Sequence, residues 1–596
     1  MKNTKWSLLA MLFALVLVLA ACGTKEDDAK SSETSGGSEI AEDGFATKVT
    51  NDGDAIEGGT LMVAMQKDEP FQGIFAYSLY DDGYDSDLMS FANTNVFSTD
   101  GDFLLTNDGI ASYEVDEATN VVTVKIREDV KWSDGEPLTI DDLIYPYYII
   151  ADKDYPGVRY DSDMRNIKGI EEYHNGTADT ISGITRVDDY TYTLALNTIS
   201  PGLYSGGDGI LTYAEPVHAM KDIPVGELIE SDVVRKNPLS LSAFVVDKII
   251  AGESVQYKRN ENYYKGAAKL DGVIVKVVPS SSIAKAIETG EFDVTLTLGS
   301  AKYNEIKDLK NIDIVAVPEL YYSYLGFKVG KWNEESLEVA TDMENSKMGD
   351  VKLRQAMGYA LDIETVTETF YDGLRERANA IVPPVFSSFH DANLEGYTYN
   401  TDKANALLDE AGYKDVDGDG IREDAKGEKF SIKMAGMSGS DTDEAIVEYY
   451  RQNWKDVGLD VQLTTGRLIE FNSFYDKVKA DDAEIDMFMA AWGTGTNPSP
   501  LGLYGESSAF NYSRYVTPEL ESLLVAIDSK EAIDPAVRAD AFRAWEEYMF
   551  EQATTIPTYF RTEIMPINKR VKNYDSSYAN LTQWHEVELT AEEPIK

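Results

Sequence analysis

Strand signals and capped helices alternate from Gly58 to Phe560 with no repeat of fixed period, and alternation of this kind is the mark of an α/β protein. GGTLMVAM (58–65) is an apolar strand entered through glycines, and strands near 110–115 and 121–126 flank a polar turn at Glu117–Asn120. In VKWSDGEPLTIDDL (130–143), Asp134-Gly135 supplies a turn and Thr139 to Asp142 has capping-box spacing, so a helix starts there, with Pro146 predicted to kink or shorten it. Ser280 to Ser282 lead into a helix stopped at Gly290, and LYYSYLGFKVG (320–330) is strand-like. Leu353, Met357, Ala360 and Leu361 lie at helical spacing, with Asp362 placed to cap a second helix running to Gly373. Thr401 and Thr517 are predicted caps, Gly412 a terminator, and 537–552 a helix followed by the strand TIPTYF (555–560).

The start of the chain carries Lys2 and Lys5, an uncharged apolar stretch from about Leu8 to Leu19, and small residues before Cys22. That is the layout of an export signal, too short for a comfortable membrane span, and we assign it to 1–21. Leu19-Ala20-Ala21-Cys22 resembles the lipobox of bacterial lipoproteins, which implies a diacylglyceryl group on Cys22. Cys22 is the sole cysteine, so disulfides, CxxC metal sites and thiol catalysis are excluded from the rest of the chain. Residues 22–56 are rich in Ser, Gly, Thr, Asp and Glu and are expected to form a disordered acidic tether. The net charge of −50 argues against nucleic acid and against electrostatic adhesion to anionic lipid, leaving membrane attachment to the lipid on Cys22.

Few catalytic or metal signatures are present. DVDGDGIRED (415–424) spaces Asp415, Asp417 and Asp419 as in a calcium loop, but Lys426 stands where the closing glutamate would, and an Asp-Gly turn suffices to explain it. Ser282 to Lys285 fits SxxK without the KTG that accompanies it, and neither HExxH nor GxSxG occurs. His174, His218, His390 and His585 are widely separated. No cofactor and no catalytic residue is expected.

Five stretches in one order carry a family resemblance: 58–65, 130–143, GESVQYKRNENYYKGAAKLDGVIVKVVPSSSIAKAIETGEFD (252–293), VKLRQAMGYALD (351–362) with VPP (382–384), and YNTDKANALLDEAGY (399–413). The chain thereby resembles the peptide, dipeptide and nickel-binding lipoproteins of ABC importers, oligopeptide-binding group. SLSAF (240–244) departs from the GTGPY usual there. The resemblance implies a two-lobed periplasmic-binding-protein-like α/β fold with mixed sheets, a hinge of crossing strands near 320–328 and 555–561, and an enlarged first lobe. Lobe one is expected at 57–327, lobe two at 328–558, and a return to lobe one at 559–596, where Val571, Tyr574 and Trp584 would be core.

The same resemblance implies capture of oligopeptides between the lobes for an ABC importer permease, with no enzymatic step. It assigns peptide contact to the backbone of Ala491, Trp492 and Gly493, with Trp492, Phe471 and Tyr324 as pocket walls. Gly495 stands where many relatives carry an aspartate for the peptide's ammonium, leaving Asn497 as a neutral substitute and Glu69 as a compensating acid. The expected setting is the outer face of a Gram-positive cytoplasmic membrane, as a lipid-anchored monomer. A lipoprotein peptidase, or a peptide-pheromone or adhesion receptor on the same fold, is the alternative.

Overall fold

The computed structural model describes residues 46–596 except 50, 69, 297, 439–441 and 579–582; the expected leader, Cys22, most of the tether and Glu69 lie outside the described residues. Eleven strands make one mixed sheet: β1 (Thr60–Gln66), β2 (Phe244–Ile250), β3 (Ser254–Arg259), β4 (Gly272–Val278), β5 (Val294–Leu296), β6 (Ile312–Phe327), β7 (Arg375–Arg377), β8 (Ile432–Ala435), β9 (Val461–Leu463), β10 (Met487–Gly493) and β11 (Thr555–Asn568). Their order is β9-β8-β10-β6-β11-β5-β1-β4-β3-β2, with β7 paired to β11. β1 lies parallel between β4 and β5, and β10 parallel to β8, while β6 is antiparallel to both β10 and β11.

β6 and β11 are the two strands common to both ends of the sheet. The later half of β6, Tyr321–Phe327, pairs with β10, whereas on β11 the edge away from β6 meets β7 at 559–561 and β5 at Ile567. The β6–β11 ladder slips register between Pro318 and Tyr322 and again between Ser323 and Tyr324. Proline has no N–H to give to a ladder, so a break beside Pro318 is where the sheet loses least. Gly326 is required by a close approach: a Cβ there would meet the Phe488 ring at 2.2 Å.

The apolar core is divided in the same way. One cluster gathers Leu325, Leu353, Met357, Trp454, Phe488 and Trp545 around the β8–β10 end, and a second joins β1 to β4 with Val571, Tyr574 and Trp584 of the C-terminal tail. A third fills residues 96–241, where Ala111–Asp116, Val121–Ile126, Ile184–Arg186 and Thr191–Ala195 form a separate four-stranded antiparallel sheet.

Local chemistry explains where the helices begin, and where the structure differs from expectation. Thr139 and Asp142 form the reciprocal capping box. The helix then runs Ile140–Ile150 through Pro146, which does not end it. A proline leaves the carbonyl four residues earlier without its donor, and here Glu215 N–H donates to Asp142 O at 2.9 Å. The helix Thr401–Ala411 is capped by Asn400, not Thr401: Asn400 Oδ1 accepts from Lys403 N–H at 2.9 Å. Thr517 caps Pro518–Ile527 and Asp362 caps Ile363–Tyr371 as expected. In the departing stretch SLSAF, the buried Ser240 hydroxyl donates to Phe244 O and accepts from Ser242 N–H, closing the loop by its side chain.

The last described part of the stretch expected as tether, 46–49 and 51–56, is instead paired with the folded chain. Ala46 bridges Val315 of β6, and the rest lies along the C-terminal tail: Val49 N–H donates to Tyr574 O, Ile56 N–H to Leu589 O, and the Asn51 amide reaches Lys569 O and Val571 O. Paired backbone of this kind offsets the chain entropy that composition alone assigns to disorder.

Candidate functional site

The site is a gap in strand pairing. β8 and β10 pair only at Met434/Met487 and Ala435/Phe488, then separate. Between them opens a cavity of about 280 Å³, walled by Gly436 and Met437 on one side and by Met489, Ala490 and Ala491 on the other. Thr494 N–H donates to Leu320 O at 2.9 Å, which fixes the phase of the β6–β10 ladder. Hydrogen-bonded pairs alternate along an antiparallel ladder, so Ala490 and Trp492 face β6 with their peptide groups. The N–H and C=O of Met489, Ala491 and Gly493 point to the opposite edge, where no strand of the described residues continues the sheet. An edge of this kind is a template for an added strand.

The roof and floor of the cavity are aromatic and cationic. Tyr324 lines it and is 3% exposed, and burial drives its hydroxyl pKa upward. Phe471 lines it and is 57% exposed, at the first turn of helix Phe471–Lys479, edge-on to Tyr475 at 4.9 Å. Tyr371, Arg375, Tyr559 and Arg561 complete the other wall. The hydroxyls of Tyr371 and Tyr559 lie 3.3 Å apart, and burial raises that of Tyr371. Arg375 and Arg561 are directly opposite in the β7–β11 register. Burial lowers the Arg375 pKa, as expected when a charged group leaves water.

Gly493 and Thr494 line a second cavity of about 280 Å³ with Tyr322, Tyr504, Phe510 and Trp545. The Trp492 ring lines neither: half-buried, it stacks on Tyr512 at 5.3 Å and meets Phe510 edge-on at 5.7 Å. Asn497 is also away from both, its Oδ1 accepting from the buried Arg538 at 2.9 Å. Gly495 is exposed with open space where a side chain would stand. Tyr324, Phe471 and Ala491 are thus brought together, with Gly493 farther along the same edge. Sequence reasoning missed Arg375, Tyr371, Tyr559 and Arg561, and their available signal was the basic pair in GLRER and the TYFR end of the strand 555–561.

The other chemical candidates fall elsewhere. Lys429 places its ammonium 2.9 Å from Asp417 and 2.8 Å from Asp419, answering the acidic loop with a cation of the chain itself. Ser282 donates to Pro279 O and Lys285 pairs with Glu288. The histidines stay apart, with His218 on Asp134, His174 facing Ala151 O and His390 facing Val382 O. Among the described residues no helix is long and apolar enough to cross a membrane.

Contacts also join the hairpin 98–106 to the loop 386–388. Phe103, in the left-handed region at φ 61°, packs on Phe386 and Tyr578 with ring centroids 5.4 and 5.0 Å away. Beside it Asp102 accepts from the Ser388 hydroxyl at 2.6 Å and, at 3.3 Å each, from Ser387 Oγ and Ser388 N–H.

Comparison with known proteins gives a consistent picture. Residues 106–513 match the model of the bacterial extracellular solute-binding proteins, family 5. The chain is 30% identical over 601 residues to the oligopeptide-binding protein OppA of Lactococcus lactis subsp. lactis, covering 99% of each, and 25% identical over 585 residues to the oligopeptide-binding protein AppA of Bacillus subtilis, covering 96% of each. It superposes on lactococcal OppA, solved with an endogenous peptide in the closed conformation, with a TM-score of 0.72 at 30% identity, covering 89% of this chain and all of that one.

Proposed function

The chain belongs to the bacterial extracellular solute-binding proteins, family 5, and from that membership we propose that it captures oligopeptides between two lobes and delivers them to the permease of an ABC importer. The observation that carries the reading is the unpaired edge of β10 at the mouth of the cavity. An extended peptide laid there gains ladder hydrogen bonds through atoms every peptide has, while its side chains alternate into the spaces on either side. The polar, water-accessible walls suit varied side chains, because water re-pairs with whatever group arrives. Ala491 and Gly493 supply the edge, and Tyr324 and Phe471 the wall. Trp492 braces the strand through Tyr512, and neither Asn497 nor an acid at 495 serves as an ammonium anchor.

The lobes are taken as 57–327 with 559–596, and 328–558, turning about β6 and β11 where their ladder slips register. A strand that has already lost pairing bends at small cost, which suits a hinge. Binding, not bond cleavage, is the output, and the permease reads the closed shape. The leader 1–21 and a lipid on Cys22 place a monomer on the outer face of the cytoplasmic membrane of a Gram-positive cell. The test is incubation of the purified protein with a defined peptide mixture, followed by denaturation and mass spectrometry. Recovery of intact, co-purifying peptides is expected. Recovery of fragments would make the protein a peptidase, and recovery of nothing would remove the peptide reading.

A further inference from the structure

Arg375 is a poorly satisfied cation among the described residues. Its side chain is 11% exposed, Nε and Nη1 are buried with no hydrogen-bond partner among the described residues, and its ion pair with Glu319 is long, Oε1 lying 3.9 Å from Nη1. Glu319 is committed to Arg561, accepting from its Nη2 at 2.5 Å. Arg561 itself keeps a buried Nε without a partner. Arg375 is held mainly against the faces of Tyr371 and Tyr559, with Cζ 4.9 and 5.7 Å from their centroids, and Arg561 lies over Tyr321 at 4.3 Å.

Three costs accumulate at this point. A buried guanidinium leaves water, two of its three nitrogens find no acceptor among the described residues, and a second guanidinium stands directly opposite on the neighbouring strand, where like charges repel. Such an arrangement is relieved when a carboxylate enters, because a guanidinium grips carboxylate through two parallel charge-assisted bonds. Both arginines line the cavity beside Ala491, and Ser323, Ser438 and Thr558 add hydroxyl-bearing side chains around it. Asp443 lines the same space and has a partner of its own.

We propose that the cavity between β8 and β10 is a carboxylate subsite, with Arg375 as its anchor and Arg561 beside it, selecting peptides that place an acidic side chain or a C-terminal carboxylate there. This rests on the peptide-binding reading above. The two sources of carboxylate share one chemistry and are separable by synthesis. In an acidic but otherwise unremarkable surface, this makes an anionic group of the ligand welcome at one place, and the choice of where a peptide starts and stops along β10 follows from it.

The experiment is calorimetric titration of the full-length protein with four versions of one acetylated peptide: glutamate with a C-terminal amide, glutamine with a free C-terminus, both carboxylates, and neither. The expected result is that at least one single-carboxylate version binds roughly 10- to 100-fold more tightly than the neutral one. Which version does so names the source. Arg375→Gln is expected to erase that difference, whatever its effect on the affinity common to all four peptides. Equal affinity of the wild-type protein for all four overturns the subsite and leaves peptide binding standing, and this comparison needs no variant to fold. Discrimination that survives in Arg375→Gln overturns Arg375 as anchor. Failure of the wild-type protein to bind any of the four, or any member of a tryptic peptide mixture, overturns the peptide reading and the subsite together.

Discussion

Replacing Ala491 by proline tests the edge-docking geometry through the backbone alone. The alternation set by Thr494 and Leu320 turns the Ala491 N–H away from β6, so the substitution removes no ladder bond of the protein, and proline is tolerated in strands at such edge-facing positions. To a docked peptide it is costly. The lost bond is worth about 1 kcal/mol, and the pyrrolidine ring keeps the ligand strand from the roughly 4.8 Å spacing a ladder needs, stretching the bonds made at Met489 and Gly493. Together these amount to about 2–3 kcal/mol, a weakening of roughly 30- to 140-fold. The control is Ala490→Pro, whose N–H faces Tyr324 in the ladder at a position only 6% exposed, and which is expected to lose about 3 kcal/mol of stability or more. Calorimetric titration with a co-purifying peptide and thermal melts of the peptide-free proteins measure both quantities. Unchanged affinity in Ala491→Pro, or equal melting losses in the two variants, would refute the assignment of this edge to the ligand.

Other outcomes are expected on the same grounds. Trp492→Ala removes a ring stacked on Tyr512 and should lower the stability of the empty protein by about 1–2 kcal/mol, so an unchanged melt would return the ring to a purely ligand-facing role. Asp102→Ala deletes the acceptor of three hydrogen bonds between the 98–106 hairpin and Ser387 and Ser388, and is expected to speed peptide release roughly fivefold in stopped flow; release at the wild-type rate would show that these bonds do not hold the lobes together. Glu215 is 2% exposed, and burial pushes its pKa up to about 7, with Ser78 N–H donating to it at 2.9 Å. Because the folded value lies above the unfolded one, its contribution is complete below about pH 4.5 and is lost as pH rises through 7, by at most about 3 kcal/mol. Glu215→Gln should flatten the fall in chemical-denaturation stability across that window, and parallel profiles would rule Glu215 out as its source.

The elements legible in the sequence were those decided locally. Thr139, Asp362 and Thr517 announce helix starts because a cap and its acceptors lie within three residues, and the crossing strands show as apolar runs bounded by turn signals. Asn400 was overlooked in favour of Thr401 since either side chain caps, and only the backbone angle at 400 decides. That Pro146 does not end its helix was not legible, because the donor that rescues Asp142 O comes from Glu215, far along the chain. The site was legible only as what the family resemblance implies for Ala491 to Gly493, Phe471 and Tyr324. What makes it a site, the parting of β8 from β10 and the opposition of Arg375 to Arg561, is a matter of register between strands remote in sequence, which no local pattern records.

The seating of Ala46 on β6, and of Val49, Asn51 and Ile56 on the tail, has a mechanical consequence. Any tug arriving along the leading segment enters the molecule at Val315 and Tyr574 and is resisted in shear by backbone bonds on the β5 side of the sheet. β8 and β10, which frame the cavity, are off that route. A leash attached ahead of residue 46 would therefore hold the protein in place while leaving the mouth free to open and shut.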